Sequence, residues 1–157
     1  MQLFLMRHGE AGFNAHSDRE RTLTDTGRQQ TSAMSHWLKR SIAEFDLVLV
    51  SPYLRAQQSW QEVQKHFPKP KQWLTLNELV PAGDPTRVAD AIVAYAQHYQ
   101  ATNVLVLAHM PLLGYVVSEL VQGVEPPLFA TSGVVLVAQH ATGHTVKWQY
   151  APHMIGE

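Results

Sequence analysis

Residues 104–109 read Val104-Leu105-Val106-Leu107-Ala108-His109, a run of five consecutive apolar residues that ends in a histidine. A strand with one solvent-exposed face alternates apolar and polar side chains, whereas a strand buried on both faces does not. The run therefore predicts a strand at the centre of a sheet that is covered on both sides. The histidine would stand where that strand ends.

Shorter apolar runs and amphipathic stretches alternate along the rest of the chain. This alternation is typical of strand–helix–strand units around a mostly parallel sheet. The predicted strands are residues 3–6, 47–50, 73–76 and 104–108, and the predicted helices cover about 24–40, 51–67, 86–100 and 111–121. Residues 133–139 and 145–150 predict a β-hairpin at the end of the chain. We therefore expect an α/β fold, a three-layer sandwich whose mostly parallel central sheet is flanked by helices.

Length and composition favour one globular domain over residues 1–157, with 45% hydrophobic and 16% charged residues. The chain has no cysteine, which excludes disulfides and thiolate ligands and fits a cytoplasmic protein. A net charge of −1 without a dense basic cluster argues against nucleic-acid binding. The N-terminal apolar run soon meets Arg7, and no apolar run approaches the ~20 residues of a membrane span. We expect no signal peptide, no membrane association and a monomer.

Polar residues follow directly after each of the four predicted parallel strands. They are Arg7-His8, residues 51–55, Glu78 and His109. In an open α/β sheet, ligands bind at the carboxyl edge of the strands. If the strands are parallel, residues that are distant in sequence meet in one crevice.

Two histidines, two arginines and a carboxylate in one crevice suit a phosphoryl group. The planar guanidinium groups of Arg7 and Arg55 match phosphoryl oxygens and disfavour protonation of a neighbouring imidazole. A neutral His8 can then attack phosphorus, with Gly9 letting the backbone turn after it. We expect His109 to donate a hydrogen bond to the transferred group.

Taken singly, each of these residues also has an ordinary structural explanation. Arg55 alone would more often be a surface residue on a helix, and His109 alone a hydrogen-bonded histidine at a strand end. Glu78 alone would more often be a solvated or capping carboxylate. Their combination at one sheet edge is what favours a phosphate site.

The same residues carry a family resemblance. Arg7-His8-Gly9-Glu10 with Asn14 resembles the RHGExxxN signature of the histidine phosphatase superfamily, which also contains the cofactor-dependent phosphoglycerate mutases. Further matches follow in family order: Leu23-Thr24 with Gly27 and Gln30, Ser51-Pro52 with Arg55-Ala56 and Gln58, Leu76 with Glu78, and Val106-Leu107-Ala108-His109. The resemblance covers residues 2 to about 137 and implies a phosphoglycerate mutase-like fold.

Within the superfamily, the chain is most similar to the SixA-type phosphohistidine phosphatases, by its length and by residues 51–56 and 111–115. The resemblance implies a phosphate pocket of Arg7, His8, Arg55 and His109, with Gly9, Asn14 and Arg21 as substrate-binding residues. Arg21 fits a solvated loop equally well, and Asn14 could be a turn former. Glu78 matches the position of the general acid of many superfamily members, although SixA-type proteins depend on it weakly if at all.

Chain length limits the substrate class. Only 31 positions separate Glu78 from His109, and one helix with one strand nearly fills them, so we expect a minimal version of the fold without a lid. An open pocket suits a phosphorylated side chain on a partner protein. The resemblance implies a phosphatase that removes the phosphoryl group from phosphohistidine through a covalent phospho-His8 intermediate. The partner would be a histidine phosphotransfer domain or a phosphocarrier.

Two other functions remain open at this point. One is a small-molecule phosphomonoesterase of the same superfamily, and the other is a phosphohistidine-binding module with negligible turnover. We expect neither a metal nor a cofactor. His140 and His144 stand four residues apart, but across a predicted turn and not on one helix face. The chain also lacks the glycine-rich motifs of P-loop and dinucleotide-binding proteins.

Overall fold

The computed structural model describes residues 1–156 and confirms the predicted α/β sandwich with a mixed central sheet. The strands are β1 (Gln2–Arg7), β2 (Leu47–Val50), β3 (Gln72–Thr75), β4 (Asn103–Ala108), β5 (Val134–His140) and β6 (Gly143–Tyr150). They are ordered β3-β2-β4-β1-β5-β6. The first four strands are mutually parallel, and β5 and β6 are antiparallel to their neighbours.

Four helices cover the two faces of the sheet. They are α1 (Asp25–Leu38), α2 (Leu54–Gln64), α3 (Pro85–His98) and α4 (Leu112–Leu120). The buried side chains of α1 and α2 form one core cluster with one face of the sheet, and those of α3 and α4 form a second cluster with the other face. The three layers predicted from the alternating pattern are therefore present.

The strand predicted from residues 104–108 lies inside the sheet, between β1 and β2. Its five apolar side chains are all fully buried. Val104, Val106 and Ala108 belong to the cluster of α3 and α4, whereas Leu105 and Leu107 belong to that of α1 and α2. Successive side chains of a strand point to opposite faces, so each face of β4 needs apolar residues of its own.

The helix boundaries differ from the predicted ones by a few residues. Thr24 caps α1 as predicted, since its side chain accepts from the Gly27 amide, and the helix ends at Leu38. Helix α2 begins at Leu54 and not near residue 51. The Ser51 hydroxyl instead accepts from the Tyr53 amide and bonds the ring of His109. Helix α3 begins one residue earlier than predicted, because the Asp84 side chain accepts from the first free amides of the helix.

The predicted hairpin is also present, and its first strand, β5, lies next to β1 in the sheet. Strand β5 pairs antiparallel with β1, so that Met6 stands opposite Val134. Gly143 begins β6 with a φ of 140°, a conformation that residues with side chains rarely adopt. The segment just before β5 therefore passes the carboxyl end of β1.

The parallel strands bring their carboxyl ends to one edge of the sheet. Arg7 is aligned with Ala108 in the ladder between β1 and β4, so that His8 and His109 follow side by side. Residues 76–102 hold only a turn-rich loop, α3 and a short connection, and no inserted segment there covers this edge, as predicted. None of the helices within residues 1–156 has the length and apolarity needed to span a bilayer.

Candidate active site

Two buried histidines form the centre of the candidate site. The ring centroids of His8 and His109 lie 5.0 Å apart, and the rings are inclined by 55°. His8 exposes 5% of its surface and His109 none. The sequence prediction that these two residues meet at the edge of the sheet agrees with this geometry, because β1 and β4 are parallel neighbours in register.

The hydrogen bonds of His8 define its tautomer. Its Nδ1 lies 2.7 Å from the carbonyl oxygen of Gly9, which can only accept, so Nδ1 carries the proton. Nε2 then holds the lone pair, toward which Arg55 Nε donates at 3.2 Å. Burial lowers the pKa of His8 to about 3, and the charges of Arg55 and Arg7 act in the same direction against the carbonyl of Gly9. The imidazole is therefore neutral at physiological pH, with Nε2 free of a proton.

The backbone around His8 is held from both sides. The His8 amide donates to the carbonyl of Ala108, and the His8 carbonyl accepts from the amide of Ser132. The Gly9 amide donates to Ser59 Oγ at 2.9 Å. Rotation of the imidazole out of the site would break none of these bonds, but displacement of its Cα would break all three.

Close packing explains why position 9 is a glycine. A Cβ at this position would lie 2.7 Å from Thr31 Oγ1 and 2.8 Å from the carbonyl oxygen of Gly27. The φ of Gly9 is not among the positive ones, so the sharp turn that we expected to require a glycine is not the reason for it. Its amide donates to Ser59 Oγ, so Gly9 also ties the end of β1 to α2.

His109 is fixed through one ring nitrogen. Its Nε2 lies 2.6 Å from Ser51 Oγ, and the same hydroxyl accepts from the Tyr53 amide at 3.1 Å. Its Nδ1 is buried and has no hydrogen-bond partner within residues 1–156. Burial, followed by the neighbouring His8 and Arg55, lowers the pKa of His109 to about 2. His109 therefore offers a neutral ring with one uncommitted nitrogen.

Arg55 links His8 to a neighbouring loop. It lies on the first turn of α2 and exposes 3% of its surface. Besides the bond to His8, its Nη1 donates to the carbonyl oxygen of Asp18 at 2.6 Å and its Nη2 to Asp18 Oδ2 at 3.2 Å. Its guanidinium also lies 5.0 Å from the centre of the Tyr53 ring. Three residues, His8, Asp18 and Tyr53, thus set the orientation of the Arg55 guanidinium.

Arg21 joins the site through the same carboxylate. Its Nη1 donates to Asp18 Oδ1 at 3.1 Å, and its Nε and Nη2 donate to the carbonyls of Gly12 and Ala11. Burial opposes ionisation of Asp18, but the bond from Arg21 and the charge of Arg55 outweigh it and lower the pKa of this carboxyl. Asp18 therefore bridges two arginines as an anion, and Arg21 is an ordered member of the cluster.

Arg7 completes the set of cations. It is the last residue of β1, and its Nη1 donates to the carbonyl oxygen of Phe129 at 2.8 Å. Its Nε is buried without a partner within the described residues. Burial, followed by the charges of Arg55 and Arg21, lowers the pKa of Arg7, which still stays a cation at neutral pH. Three guanidinium groups thus converge near the two imidazoles, and only one carboxylate in the described residues bonds to any of them.

Two predicted site residues are not drawn into this cluster. Asn14 and Glu78 are both exposed, and neither side chain hydrogen-bonds to another residue within residues 1–156. The backbone of Glu78 does lie at the catalytic edge, because Gly83 packs between its carbonyl and the side chain of Leu112 at the start of α4. These positions fit the alternative predictions, which were a solvated carboxylate for Glu78 and a turn residue for Asn14.

Sequence reasoning missed the polar residues that support the site. Asp18 is one of them, and its bonds to Arg55 and Arg21 carry no local signal. Ser59 is four residues after Arg55, on the same helix face, which could have pointed to it. Ser132 lies 124 positions from His8 and adopts a φ of 61°, and no pattern near it indicates that its amide binds the nucleophile's carbonyl.

Comparisons with known proteins agree with this geometry. Residues 3–80 match the family model described as the histidine phosphatase superfamily, branch 1. The chain is 42% identical to the phosphohistidine phosphatase SixA of Escherichia coli, over 97% of this chain and 94% of that protein. It is 35% identical to a SixA homolog of Haemophilus influenzae, over 76% of this chain and 77% of that protein.

The fold is likewise shared with a solved structure. The protein histidine phosphatase SixA complexed with tungstate superposes with a TM-score of 0.91 at 40% identity, and the match covers 98% of both chains. The resemblance predicted from Arg7-His8-Gly9-Glu10 and the later motifs is therefore confirmed. The chain belongs to the histidine phosphatase superfamily and, within it, to the SixA-type phosphatases.

Proposed function

We propose that the chain is a phosphatase that removes the phosphoryl group from phosphohistidine on a partner protein, with His8 as the nucleophile. The observation that carries the proposal is the neutral, desolvated Nε2 of His8, which faces Arg55 and lies beside a second neutral imidazole. The similarity to phosphohistidine phosphatases over nearly the whole chain supports the same substrate. The partner would be a histidine phosphotransfer domain or a phosphocarrier.

The first step transfers the phosphoryl group to His8. A bond forms between Nε2 and phosphorus while the bond from phosphorus to the substrate's imidazole breaks, and the substrate ring keeps that electron pair. If the other nitrogen of the substrate ring carries a proton, the ring departs as neutral imidazole. No acid of the enzyme is then needed. This agrees with the position of Glu78, whose side chain is exposed and forms no hydrogen bond within residues 1–156.

The second step hydrolyses phospho-His8. Water attacks phosphorus, the bond to Nε2 breaks, and both water protons leave with inorganic phosphate. The Nδ1 proton of His8 stays on the ring throughout, because the carbonyl of Gly9 accepts from it before and after phosphorylation. The enzyme thus returns to the tautomer in which Nε2 is free.

The cations stabilise both transition states. In the loose transition state of phosphoryl transfer, negative charge is spread over the equatorial oxygens. Arg7 has an uncommitted Nε, and Arg55 already points its Nε at the nucleophile. If Ser51 donates its hydroxyl proton to His109 Nε2, the proton of His109 is on Nδ1, which is the unpartnered ring nitrogen. That N–H would donate to an equatorial oxygen.

The alternative of a small-molecule phosphomonoesterase is less well supported. An alkyl phosphate has a poor leaving group and depends on a positioned general acid. Glu78, the candidate acid predicted from the sequence, is exposed, and its side chain forms no hydrogen bond within residues 1–156 that would position it. We further propose that the enzyme acts as a monomer in the cytoplasm, where a chain without cysteine is under no redox constraint.

The test is phosphate release from a histidine-phosphorylated phosphotransfer domain. We expect the wild-type chain to release inorganic phosphate in many-fold molar excess over enzyme, without added metal and equally well in chelator. His8→Ala should abolish turnover, whereas His140→Ala, which changes an exposed histidine on the hairpin, should leave it intact.

Two results would contradict the proposal. Release that stops at one equivalent per chain would identify a phosphohistidine-binding module. Faster turnover of sugar phosphates than of the phosphoprotein would identify a phosphomonoesterase. A phosphoenzyme that is stable in alkali, labile in acid and absent from His8→Ala would locate the intermediate on the imidazole.

A further inference from the structure

We propose that four exposed apolar side chains around the phosphate pocket form the docking surface for the phosphorylated partner. The inference rests on the proposed function and deepens it, because it states how a protein substrate is recognised. The residues are Phe13, Leu54, Tyr115 and Leu128, which we name the apolar rim. The occupant is a histidine-phosphorylated protein with apolar side chains around its phosphohistidine.

The exposure of these side chains is unusual for a chain of this composition. Phe13 and Leu128 each expose 83% of their surface, Tyr115 exposes 50% and Leu54 37%. Exposed apolar residues that stand singly need no explanation, but several around one site mark an interaction surface. Four of the eight exposed large hydrophobic residues of the described chain lie on segments that also carry pocket residues or lead away from them.

Phe13 is held at the pocket by a cation of the site. The guanidinium of Arg21 lies 4.1 Å from the centre of the Phe13 ring. The same guanidinium bonds Asp18, which in turn bonds Arg55. A cation–π contact of this kind orients the ring without burying it, so that its outer face stays open to a partner.

Leu128 lies next to the residue that binds Arg7. The carbonyl of Phe129 accepts from Arg7 Nη1, and Phe129 itself is buried. The carbonyl of Leu128 accepts from Gln149 Nε2 at 2.7 Å, which fixes the backbone on β6. The Leu128 side chain is thus exposed although the backbone that carries it is fixed by a hydrogen bond.

Tyr115 and Leu54 extend the rim along two helices whose first turns lie at the catalytic edge. Tyr115 follows Gly114, which packs against the carbonyl of Pro127 on the segment that leads to Leu128. Leu54 directly precedes Arg55 and is the first residue of α2. Phe13 thus contacts Arg21, and Leu54 adjoins Arg55. Leu128 adjoins the residue whose carbonyl binds Arg7, and Tyr115 lies on the first turn of α4, six residues after His109.

The depth of the pocket explains why a partner must touch this rim. His8 and Arg55 expose 5% and 3% of their surfaces, so the phosphoryl group has to reach below the surface. A histidine side chain is short, and its delivery to Nε2 brings the partner's backbone close to the enzyme. The surface next to the phosphohistidine then meets whatever surrounds the pocket, and here those surroundings include the apolar rim. Central apolar contacts of this kind carry most of the affinity of protein interfaces.

The experiment compares two substrates that share a phosphorus–nitrogen bond. One is a histidine-phosphorylated phosphotransfer domain, and the other is phosphoramidate, which fits the pocket but cannot reach the rim. For the double variant Phe13→Ser/Leu128→Ser and for Leu128→Ser alone, we expect KM for the phosphoprotein to rise at least about tenfold. The kcat/KM of Leu128→Ser for phosphoramidate should stay within about twofold of wild type.

A matched control changes an exposed aromatic residue at the far edge of the sheet. Tyr99 ends α3 just before the start of β4 and exposes 36% of its surface. Tyr99→Ser should leave both substrates unaffected. Leu128→Ser also separates docking from catalysis, because it removes apolar area without touching Arg21.

Each contrary outcome has a distinct meaning. Wild-type protein that hydrolyses neither substrate overturns the proposed function, and the docking surface with it. Hydrolysis of both substrates with unchanged KM in the rim variants overturns the docking surface alone. Hydrolysis of phosphoramidate without the phosphoprotein overturns both the docking surface and the protein substrate of the proposed function. A concentration-dependent dimer in sedimentation that the variants abolish would assign the rim to a second copy of this chain.

Discussion

Asp18 is the residue whose position bears most on ligand affinity. It places one carboxylate between Arg21 and Arg55 and accepts with its backbone carbonyl from Arg55 as well. A phosphoryl group needs some of the same donors, because Arg55 commits its Nε and both terminal nitrogens within the described residues. Asp18 therefore acts on bound phosphate as a nearby like charge.

Asp18→Asn should tighten the binding of inorganic phosphate about fivefold. The reason is electrostatic: loss of one negative charge near the ligand is worth about 1 kcal/mol at the dielectric of a partly exposed site. The measurement is the inhibition constant of phosphate during turnover. Glu20→Gln is the control, since Glu20 ends the short 3-10 helix Asp18–Glu20 and bonds neither arginine. Weaker phosphate binding in Asp18→Asn would show instead that the carboxylate chiefly orients the arginines.

Arg55→Lys should lower kcat about hundredfold or more. A lysine keeps the charge but not the planar fork, and it cannot bond the nucleophile and the Asp18 loop together. The measurement is steady-state release of phosphate from the phosphoprotein. Arg19→Lys, at an exposed arginine whose guanidinium lies 5.6 Å from the Tyr53 ring centre, should change kcat little. A kcat of Arg55→Lys close to wild type would show that charge alone suffices.

At the scale of elements, the contact between the end of β1 and the start of α1 controls the nucleophile. Gly9 follows His8 directly and packs against Gly27 and Thr31 with no room for a Cβ. Thr31 in turn bonds Ser132, whose amide holds the His8 carbonyl. A shift of the helix against the strand would therefore reach the imidazole through its backbone.

Gly9→Ala should destabilise the protein by about 1–3 kcal/mol and lower kcat at the same time. The added methyl group would meet Thr31 Oγ1 at 2.7 Å and a backbone carbonyl at 2.8 Å, so the helix or the strand must move. Chemical denaturation and steady-state kinetics measure the two effects. Gly12→Ala is the matched control, because a Cβ there meets nothing within 4 Å. Equal stability and activity of the two variants would exclude this packing constraint.

Most elements could be predicted from the sequence because their apolar periods are local. The uninterrupted run of residues 104–108 marked the buried strand, and Thr24 marked the start of α1. The start of α2 was predicted three residues too early, since the bond between Ser51 and His109 spans 58 positions and leaves no local pattern. The observed bounds of β3 are one residue earlier than the predicted ones. The reason is that its ends are set by hydrogen bonds to β2, which the sequence of β3 alone does not encode.

The candidate site was predicted in its centre and missed at its margins. Arg7, His8, Arg55 and His109 are the residues that the structure brings together, and each follows or ends a parallel strand or starts the next helix. The margin consists of Asp18, Ser59, Ser132 and the Phe129 carbonyl, which act through contacts between distant segments. Asn14 and Glu78 carried family patterns but are exposed and unbonded within residues 1–156.

At the scale of the whole molecule, two neutral imidazoles in the core make stability depend on pH. The folded-state pKa values of His8 and His109 are about 3 and about 2, far below the ordinary value of 6.5 in an unfolded chain. Between about pH 6.5 and pH 3, the unfolded chain therefore binds protons that the folded chain does not. The contribution to stability is fully present above pH 6.5 and declines as the pH falls below it.

We expect the free energy of unfolding to fall steadily from pH 6.5 to pH 4.5. His8→Gln/His109→Gln should show a shallower fall, with about two fewer protons taken up on unfolding. Urea denaturation at a series of pH values measures the slope for each chain. The exposed pair His36→Gln/His140→Gln is the control for the loss of two histidines. Equal slopes for wild type and the catalytic pair would mean that the two imidazoles already protonate in the folded state.

The backbone bonds that hold His8 also fix the order in which the protein can become active during synthesis. Strand β1 is synthesised well before its two neighbours in the sheet, which begin at Asn103 and Val134. The amide that secures the His8 carbonyl belongs to Ser132. Until these later segments have emerged, a nascent chain therefore carries an unshielded, ordinarily basic imidazole, and it gains the proposed nucleophile only when they have closed the sheet around β1.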